Sequence, residues 1–96
     1  MKVYLSGPVT GLENNNREQF EYFSSLLESV GFETITPTKM ISEGTDWHCA
    51  MRTCIAAMMK ADLLVMLQGW PHSKGATIEH RIAKELDIPV LYAEKV

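Results

Sequence analysis

The feature that most constrains the fold of this chain is an unbroken apolar run near its middle. Leu63-Leu64-Val65-Met66-Leu67 contains no polar position that faces water on one side of a sheet. Such a run is typical of a strand buried on both faces, as in parallel sheets covered on each side by crossover helices. It therefore predicts a central strand, Asp62–Leu67, in an α/β domain.

The remainder of the sequence supplies the other elements that such a sheet needs. Further short strands are predicted at Lys2–Leu5, Phe32–Thr36 and Pro89–Tyr92. Helices are predicted from caps at Asn14 to Asn16 to about Val30, from Thr45 or Asp46 to near Lys60, and from about Ala76 to Leu86. The order β-α-β-α-β-α-β predicts one domain over residues 1–96: a small, doubly wound parallel sheet of flavodoxin or Rossmann type, with about four strands and helices on both faces.

Composition narrows the class of protein. The 96 residues are 46% hydrophobic and 22% charged, with a net charge of −3 and basic residues scattered along the chain, which argues against a nucleic-acid partner. No apolar run approaches the roughly 18 residues of a membrane span, and the amino terminus reaches a Gly-Pro turn too early for a signal peptide. We therefore expect a cytoplasmic protein without a membrane partner. The spacings of the cysteines and histidines match no metal motif, so no metal or other cofactor is predicted.

Three predicted loops lie at the carboxyl ends of the strands, where doubly wound sheets bind ligands. The first, Ser6–Gly11, is neither a GxGxxG motif nor a P-loop, but its glycines allow close approach of a ligand. An ordinary βα turn explains it equally well. The second is Pro37–His48, and the third, Gln68–Glu79, runs into a helix. A carboxylate near a helix N-terminus is stabilised as an anion and suits a nucleophile, although the helix dipole alone also favours Glu there.

Four segments together resemble the nucleoside 2-deoxyribosyltransferase superfamily: Val3-Tyr4-Leu5-Ser6-Gly7-Pro8, Ala61-Asp62-Leu63-Leu64-Val65, Gly69 to Glu79, and Ile88-Pro89-Val90. The resemblance extends over nearly the whole chain, and Gly69 to Glu79 is its most specific part. More specifically, the chain resembles a branch of short, often phage-encoded relatives of unknown function, and this branch is related to 2′-deoxynucleoside 5′-phosphate N-hydrolases.

The resemblance implies cleavage or transfer at the N-glycosidic bond of a small-molecule substrate, a 2′-deoxynucleoside or its 5′-monophosphate. The nucleophilic glutamate of the family falls on Glu79. The turn that binds sugar or phosphate falls on Ser6, Gly7, Pro8, Thr10 and Gly11. The loop before the nucleophile adds Gly69, Ser73, Lys74 and Gly75.

Two departures from the family pattern leave alternatives open. Thr10 stands where nucleotide-hydrolysing relatives often carry an arginine, so Lys74 is the remaining point charge for a phosphate. Cys54 falls where the family places an assisting aspartate, and a neutral thiol cannot supply a carboxylate. Asp46 is the alternative acid, with a plain helix cap as its other role. Without an acid, the chain is instead a non-catalytic module that binds a nucleotide derivative.

Two further predictions concern aromatic residues and assembly. Trp47 and Trp70 fall in the predicted binding loops, where an indole either stacks on a base or packs as a core residue. The helix over residues 50–61 is apolar around well over half of its circumference, whereas a helix that covers a sheet needs a stripe of only about 100°. This surplus predicts a homo-oligomer, most simply a dimer packed through that helix.

Overall fold

The computed structural model describes residues 1–93 and confirms the predicted α/β class. All four strands are parallel, in the order β2-β1-β3-β4. The strands are β1 (Lys2–Ser6), β2 (Glu33–Ile35), β3 (Leu63–Met66) and β4 (Val90–Tyr92), and the helices are α1 (Arg17–Ser29), α2 (Pro37–Met40), α3 (Trp47–Met58) and α4 (Lys74–Glu85). Two short 3-10 turns, Glu13–Asn16 and Trp70–His72, precede α1 and α4.

Alternation along the strands divides the core into two clusters, one on each side of the sheet. Tyr4, Leu64 and Met66 are fully buried and pack with residues of α3 and α4. Their neighbours Val3, Leu5 and Val65 point the other way and pack against Phe20 and Phe23 of α1. The sheet therefore has an α3/α4 face and an α1 face, as the apolar run in β3 predicts.

The structure differs from the predicted elements mainly at helix starts. Asn14, Asn15 and Asn16 do not cap α1, because all three have positive φ in the left-handed region, and the Asn16 amide donates to the Pro8 carbonyl at 2.9 Å instead. Pro37 begins the short helix α2 inside a segment predicted to be a loop. Helix α4 begins before the predicted Ala76, because the Ser73 hydroxyl accepts from the Ala76 amide at 3.2 Å.

Close packing at the carboxyl edge requires two of the glycines. A Cβ at Gly7 lies 2.9 Å from the Leu67 Cβ, and one at Gly75 lies 2.9 Å from the Met51 sulfur. Gly7 thus lets the segment after β1 pack against the segment after β3, where the Leu67 amide also donates to the Ser6 carbonyl. Gly75 lets α4 approach α3. Within residues 1–93, no helix is long and apolar enough to cross a membrane.

Candidate active site

Glu79 is the centre of the site, and two hydroxyls of β1 hold its carboxylate. The residue lies in the second turn of α4 and is only 5% exposed. The Tyr4 hydroxyl donates to its Oε2 at 2.8 Å, and the Ser6 hydroxyl donates to its Oε1 at 2.6 Å. Tyr4 and Ser6 are two positions apart on a strand, so both side chains reach the same helix. Each carboxylate oxygen therefore has one strong donor and a further lone pair.

Burial controls the electrostatics of this carboxylate. Desolvation raises the pKa of Glu79, and the hydrogen bonds from Ser6 and Tyr4, which lower that pKa, offset the effect only in part. Glu79 is the sixth residue of α4, and the effect of the helix dipole falls off within the first turn, so burial and the two hydroxyls are the larger influences on its charge. Burial and the neighbouring Glu79 carboxylate raise the pKa of Tyr4 far above its ordinary value. Tyr4 thus keeps its proton and acts as a donor.

An open cleft of about 810 Å³ lies above Glu79 at the carboxyl edge of the sheet. The loops after β1, β2 and β3 form its walls, as the doubly wound topology predicts. The predicted binding residues that line it are Gly7, Pro8, Thr10, Trp47, Gly69, Ser73, Lys74 and Gly75. Ser6 is buried beneath the cleft and reaches it through Glu79.

The structure does not bring three other predicted residues to the cleft wall. Trp70 stacks on His80 instead, with ring centroids 4.3 Å apart, because its 3-10 turn carries the indole toward β4. The Asp46 carboxylate caps α3, accepting from the backbone amides of His48 at 3.1 Å and Cys49 at 3.3 Å. Gly11 lies in an exposed turn with φ 83°.

Cys54 lies at the wall of the cleft and belongs to the same core cluster as Tyr4. It is 5% exposed, and desolvation raises the pKa of its thiol, which is therefore neutral at pH 7. Among residues 1–93, the carboxylates that line the cleft are Glu79 on its floor and Glu43 in the loop after α2. The same residues contain no group of three or more ionisable side chains placed to hold a metal ion.

The mouth of the cleft carries a cation beside an aromatic ring. The Lys74 ammonium lies 4.5 Å from the centre of the Trp47 ring, which joins the first residues of α3 and α4. Lys74 is exposed and Trp47 is half-buried, so an aromatic surface and a positive charge face the same opening. Neither residue contacts Glu79 by a hydrogen bond or ion pair.

Tyr4 is a site residue that the sequence does not reveal, because a tyrosine in a buried strand is most simply a core residue. The available signal was its spacing from Ser6: two residues of one strand that share a face also share whatever packs on that face. The second predicted loop, Pro37–His48, does reach the cleft, where its residues 41–45 form one wall, although the sequence singles out none of these five as a site residue.

Residues 1–92 match a family described as a domain of unknown function, DUF4406. The chain belongs to this family. Among proteins with curated descriptions, none matches it.

Two solved structures share the fold of this DUF4406 domain. One is a 2-deoxyribosyltransferase from Leishmania mexicana, with a TM-score of 0.76 and 17% identity over 95% of this chain. The other is a 2-deoxyribosyltransferase from the psychrotolerant bacterium Bacillus psychrosaccharolyticus, with a TM-score of 0.74 and 16% identity over the whole chain. The DUF4406 chain spans 62% of the first structure's length and 77% of the second's. The fold expected from the resemblance is thus confirmed.

Proposed function

We propose that this DUF4406 domain is an N-glycosidase or deoxyribosyltransferase that acts on a 2′-deoxynucleoside or its 5′-monophosphate, with Glu79 as the nucleophile. One observation carries the proposal: a buried carboxylate on the floor of an open cleft, with a hydroxyl donor on each oxygen. The shared fold with two 2-deoxyribosyltransferases supports it. A purely structural role does not explain why this glutamate is buried, because burying a carboxylate lowers the stability of the fold.

The geometry suits a double displacement. A lone pair on a Glu79 oxygen forms a bond to C1′ of the sugar while the C1′–N bond breaks, and the departing base takes the bonding electrons. The oxocarbenium-like charge that develops at C1′ lies beside an anion in a site of low dielectric, which stabilises the transition state. Water or a second base then attacks C1′ of the glycosyl ester, and the C1′–O bond breaks with its electrons returning to the Glu79 carboxylate. The attacking group loses one proton to solvent, and the departed base takes up one proton from solvent. Two inversions give overall retention of configuration.

Tyr4 and Ser6 hold the carboxylate in one orientation through both steps. Their hydroxyls leave a lone pair on each oxygen for the attack, and they stabilise the carboxylate when it is released from the ester. At the mouth of the cleft, Trp47 offers a surface on which a base stacks, and Lys74 offers a positive charge for a 5′-phosphate. These contacts fix C1′ above the nucleophile.

The experiment that tests this function measures release of the free base. The protein is incubated with the common 2′-deoxynucleosides and their 5′-monophosphates, with and without an acceptor base, and the products are separated by chromatography. The matched control is Glu79→Ala. Base release or exchange by the wild type alone supports the proposal, whereas equal rates for the two proteins with every substrate would refute it.

We expect Tyr4→Phe to shift the pH dependence of the reaction. The substitution removes a hydrogen bond that favours the charged carboxylate, so the pKa of Glu79 rises further and the acidic limb of the kcat/KM profile moves to higher pH. At pH values below the acidic limb, kcat/KM of the variant is expected to be roughly tenfold lower than that of the wild type, which corresponds to the energy of one hydrogen bond to a charged group. Ser6→Ala shifts the limb in the same direction. If the acidic limb stays at the same pH in both variants, neither hydroxyl influences the ionisation of the nucleophile, and this part of the proposal is wrong.

A second candidate function is a binding module without turnover, and Cys54 is the observation that favours it. A neutral thiol lines the cleft at the position where the resemblance places an acid, so the pocket retains its shape and lacks a second carboxylate beside Glu79. The variant Cys54→Asp separates the two functions, with Cys54→Ser as the control of similar size. Base release that appears only in the aspartate variant identifies a binding module, and release by the wild type identifies an enzyme.

A further inference from the structure

The turn between β1 and α1 has a backbone conformation that is rare for residues other than glycine. Asn14, Asn15 and Asn16 have φ values of 52°, 55° and 61°, so three successive residues lie in the left-handed region. Asparagine tolerates this region, but as a single residue and not in runs. Such a backbone persists only where its surroundings hold it, and it is concentrated at functional sites. The contacts of this turn therefore bear on the function of the cleft.

Side-chain amides hold this turn against two of the loops that form the cleft. The Asn16 amide donates to the Pro8 carbonyl, in the loop after β1, at 2.9 Å. The Gln19 side chain accepts from the backbone amide of Gln68, just after β3, at 2.9 Å and donates to the Gln68 carbonyl at 3.3 Å. The same Gln19 amide donates to the Asn16 side-chain oxygen at 3.3 Å, which links the two sets of bonds. The turn is thus fixed relative to both loops.

Asn15 is the residue of this turn whose side chain lines the cleft. It is half-buried, and within residues 1–93 its carboxamide has no hydrogen-bond partner. Its backbone amide donates to the Leu12 carbonyl at 3.0 Å, so the turn closes without help from the carboxamide. Asn14, by contrast, is exposed and lies outside the cleft wall. The Asn15 side chain therefore offers two donors and an acceptor to whatever fills the cleft.

Asn15 and Glu79 border the cleft from opposite sides of the sheet. Asn15 comes just before α1, which packs on one face, and Glu79 belongs to α4, which packs on the other. In a displacement at C1′, the attacking oxygen and the departing nitrogen lie on opposite sides of that carbon. A sugar that presents C1′ to Glu79 therefore directs its base away from Glu79, toward the wall that carries Asn15.

We infer that Asn15 binds the nucleobase of the substrate, by donating a hydrogen bond from its side-chain amide to a ring nitrogen or carbonyl oxygen of the base. The inference rests on the proposed function. As the C1′–N bond breaks, its electrons pass to the base, so the acceptor atom becomes more negative and the hydrogen bond strengthens. A contact that strengthens in the transition state raises kcat. A neutral donor suits a cleft in which Cys54 supplies no acid, and the departed base then takes its proton from solvent.

Two glycine substitutions test the contact, because glycine adopts the left-handed backbone readily and the turn is kept. Asn15→Gly removes the carboxamide from the cleft, and the matched control Asn14→Gly removes an exposed one from the same turn. With 2′-deoxyguanosine, we expect kcat/KM of Asn15→Gly to fall about ten- to a hundredfold and that of Asn14→Gly to stay unchanged. With N7-methylated 2′-deoxyguanosine, whose positively charged base departs as a neutral molecule, the loss in Asn15→Gly should be under about threefold.

Calorimetry in the Glu79→Gln background measures binding without turnover. Each common 2′-deoxynucleoside is titrated into this protein alone and combined with either glycine substitution. We expect Asn15→Gly to weaken binding of the best-bound nucleoside by about three- to tenfold, the effect of one neutral hydrogen bond, and Asn14→Gly to leave it unchanged.

The outcomes separate this inference from the proposed function. Base release by the wild type with equal kcat/KM in Asn15→Gly and Asn14→Gly would overturn the inference alone. An equal loss in Asn15→Gly with both guanine nucleosides would also overturn it, because the contact would then be to the sugar. If the wild type releases no base, the proposed function is wrong and calorimetry decides the contact: weaker binding in Asn15→Gly alone supports it. Equal affinities, or no binding of any nucleoside, would overturn it.

Discussion

Replacing Glu79 with glutamine is expected to lower kcat/KM for base release by at least about a thousandfold, the usual loss when a nucleophile is removed. Glutamine keeps the size of the side chain and an oxygen that accepts from Tyr4 or Ser6, so the cleft stays intact. Its amide cannot form the glycosyl ester. Substrate binding, measured by calorimetry or by the shift in melting temperature, should therefore survive while turnover is lost.

The same variant should be more stable than the wild type near pH 7. Because burial raises the pKa of Glu79, the folded protein holds its proton to higher pH than the unfolded chain does. The free energy of unfolding therefore falls as the pH rises from the pKa of Glu79 in the unfolded chain, about 4.3, through its higher pKa in the folded protein. Glutamine removes this dependence, and we expect a gain of about 1 kcal/mol at pH 7 that shrinks toward pH 4. Urea titrations at both pH values measure it; a loss of stability at pH 7 would contradict the role of desolvation.

The sequence was sufficient to predict the sheet, because its signals are local and consistent. An unbroken apolar run identifies β3, and turn residues separate it from helices with apolar positions three and four apart. Helix starts were less accessible. Three successive asparagines resemble caps, yet their left-handed backbone and the bond from Asn16 to Pro8 depend on how the connection between β1 and α1 folds back on itself.

Site residues could be predicted where loop position decides them, and not where side-chain direction does. Glu79, Ser6 and the residues of the loop before α4 lie where topology places the carboxyl edge. Trp70 shares that loop, but a short 3-10 turn directs its ring to His80, and no periodicity in the sequence reveals this. Tyr4 shows the reverse case: its identity suggests a core residue, and only the contact with α4 shows that it supports the carboxylate.

The apolar residues of α3 pack either inside the chain or against a second chain, and a substitution at Met58 distinguishes the two. From sequence, Met58 belongs to a surplus that predicts a dimer interface, and Met58→Glu would then dissociate it. In the structure, however, Met58 is fully buried in the cluster that contains Tyr4, Leu64 and Ala83.

A carboxylate at position 58 would therefore lie in the core without a partner, in the same cluster as Tyr4, whose hydroxyl already donates to the Glu79 carboxylate. We expect Met58→Glu to cost more than about 4 kcal/mol, a large share of the roughly 5–15 kcal/mol that stabilises a domain. It should abolish the cooperative urea and thermal transitions seen by circular dichroism. The neighbouring Met59→Glu, on a side chain that is 48% exposed, should change stability by no more than about 0.5 kcal/mol. A folded, monomeric Met58→Glu protein would contradict this expectation and support the dimer interface that the sequence predicts on α3, because only a surface position tolerates that charge.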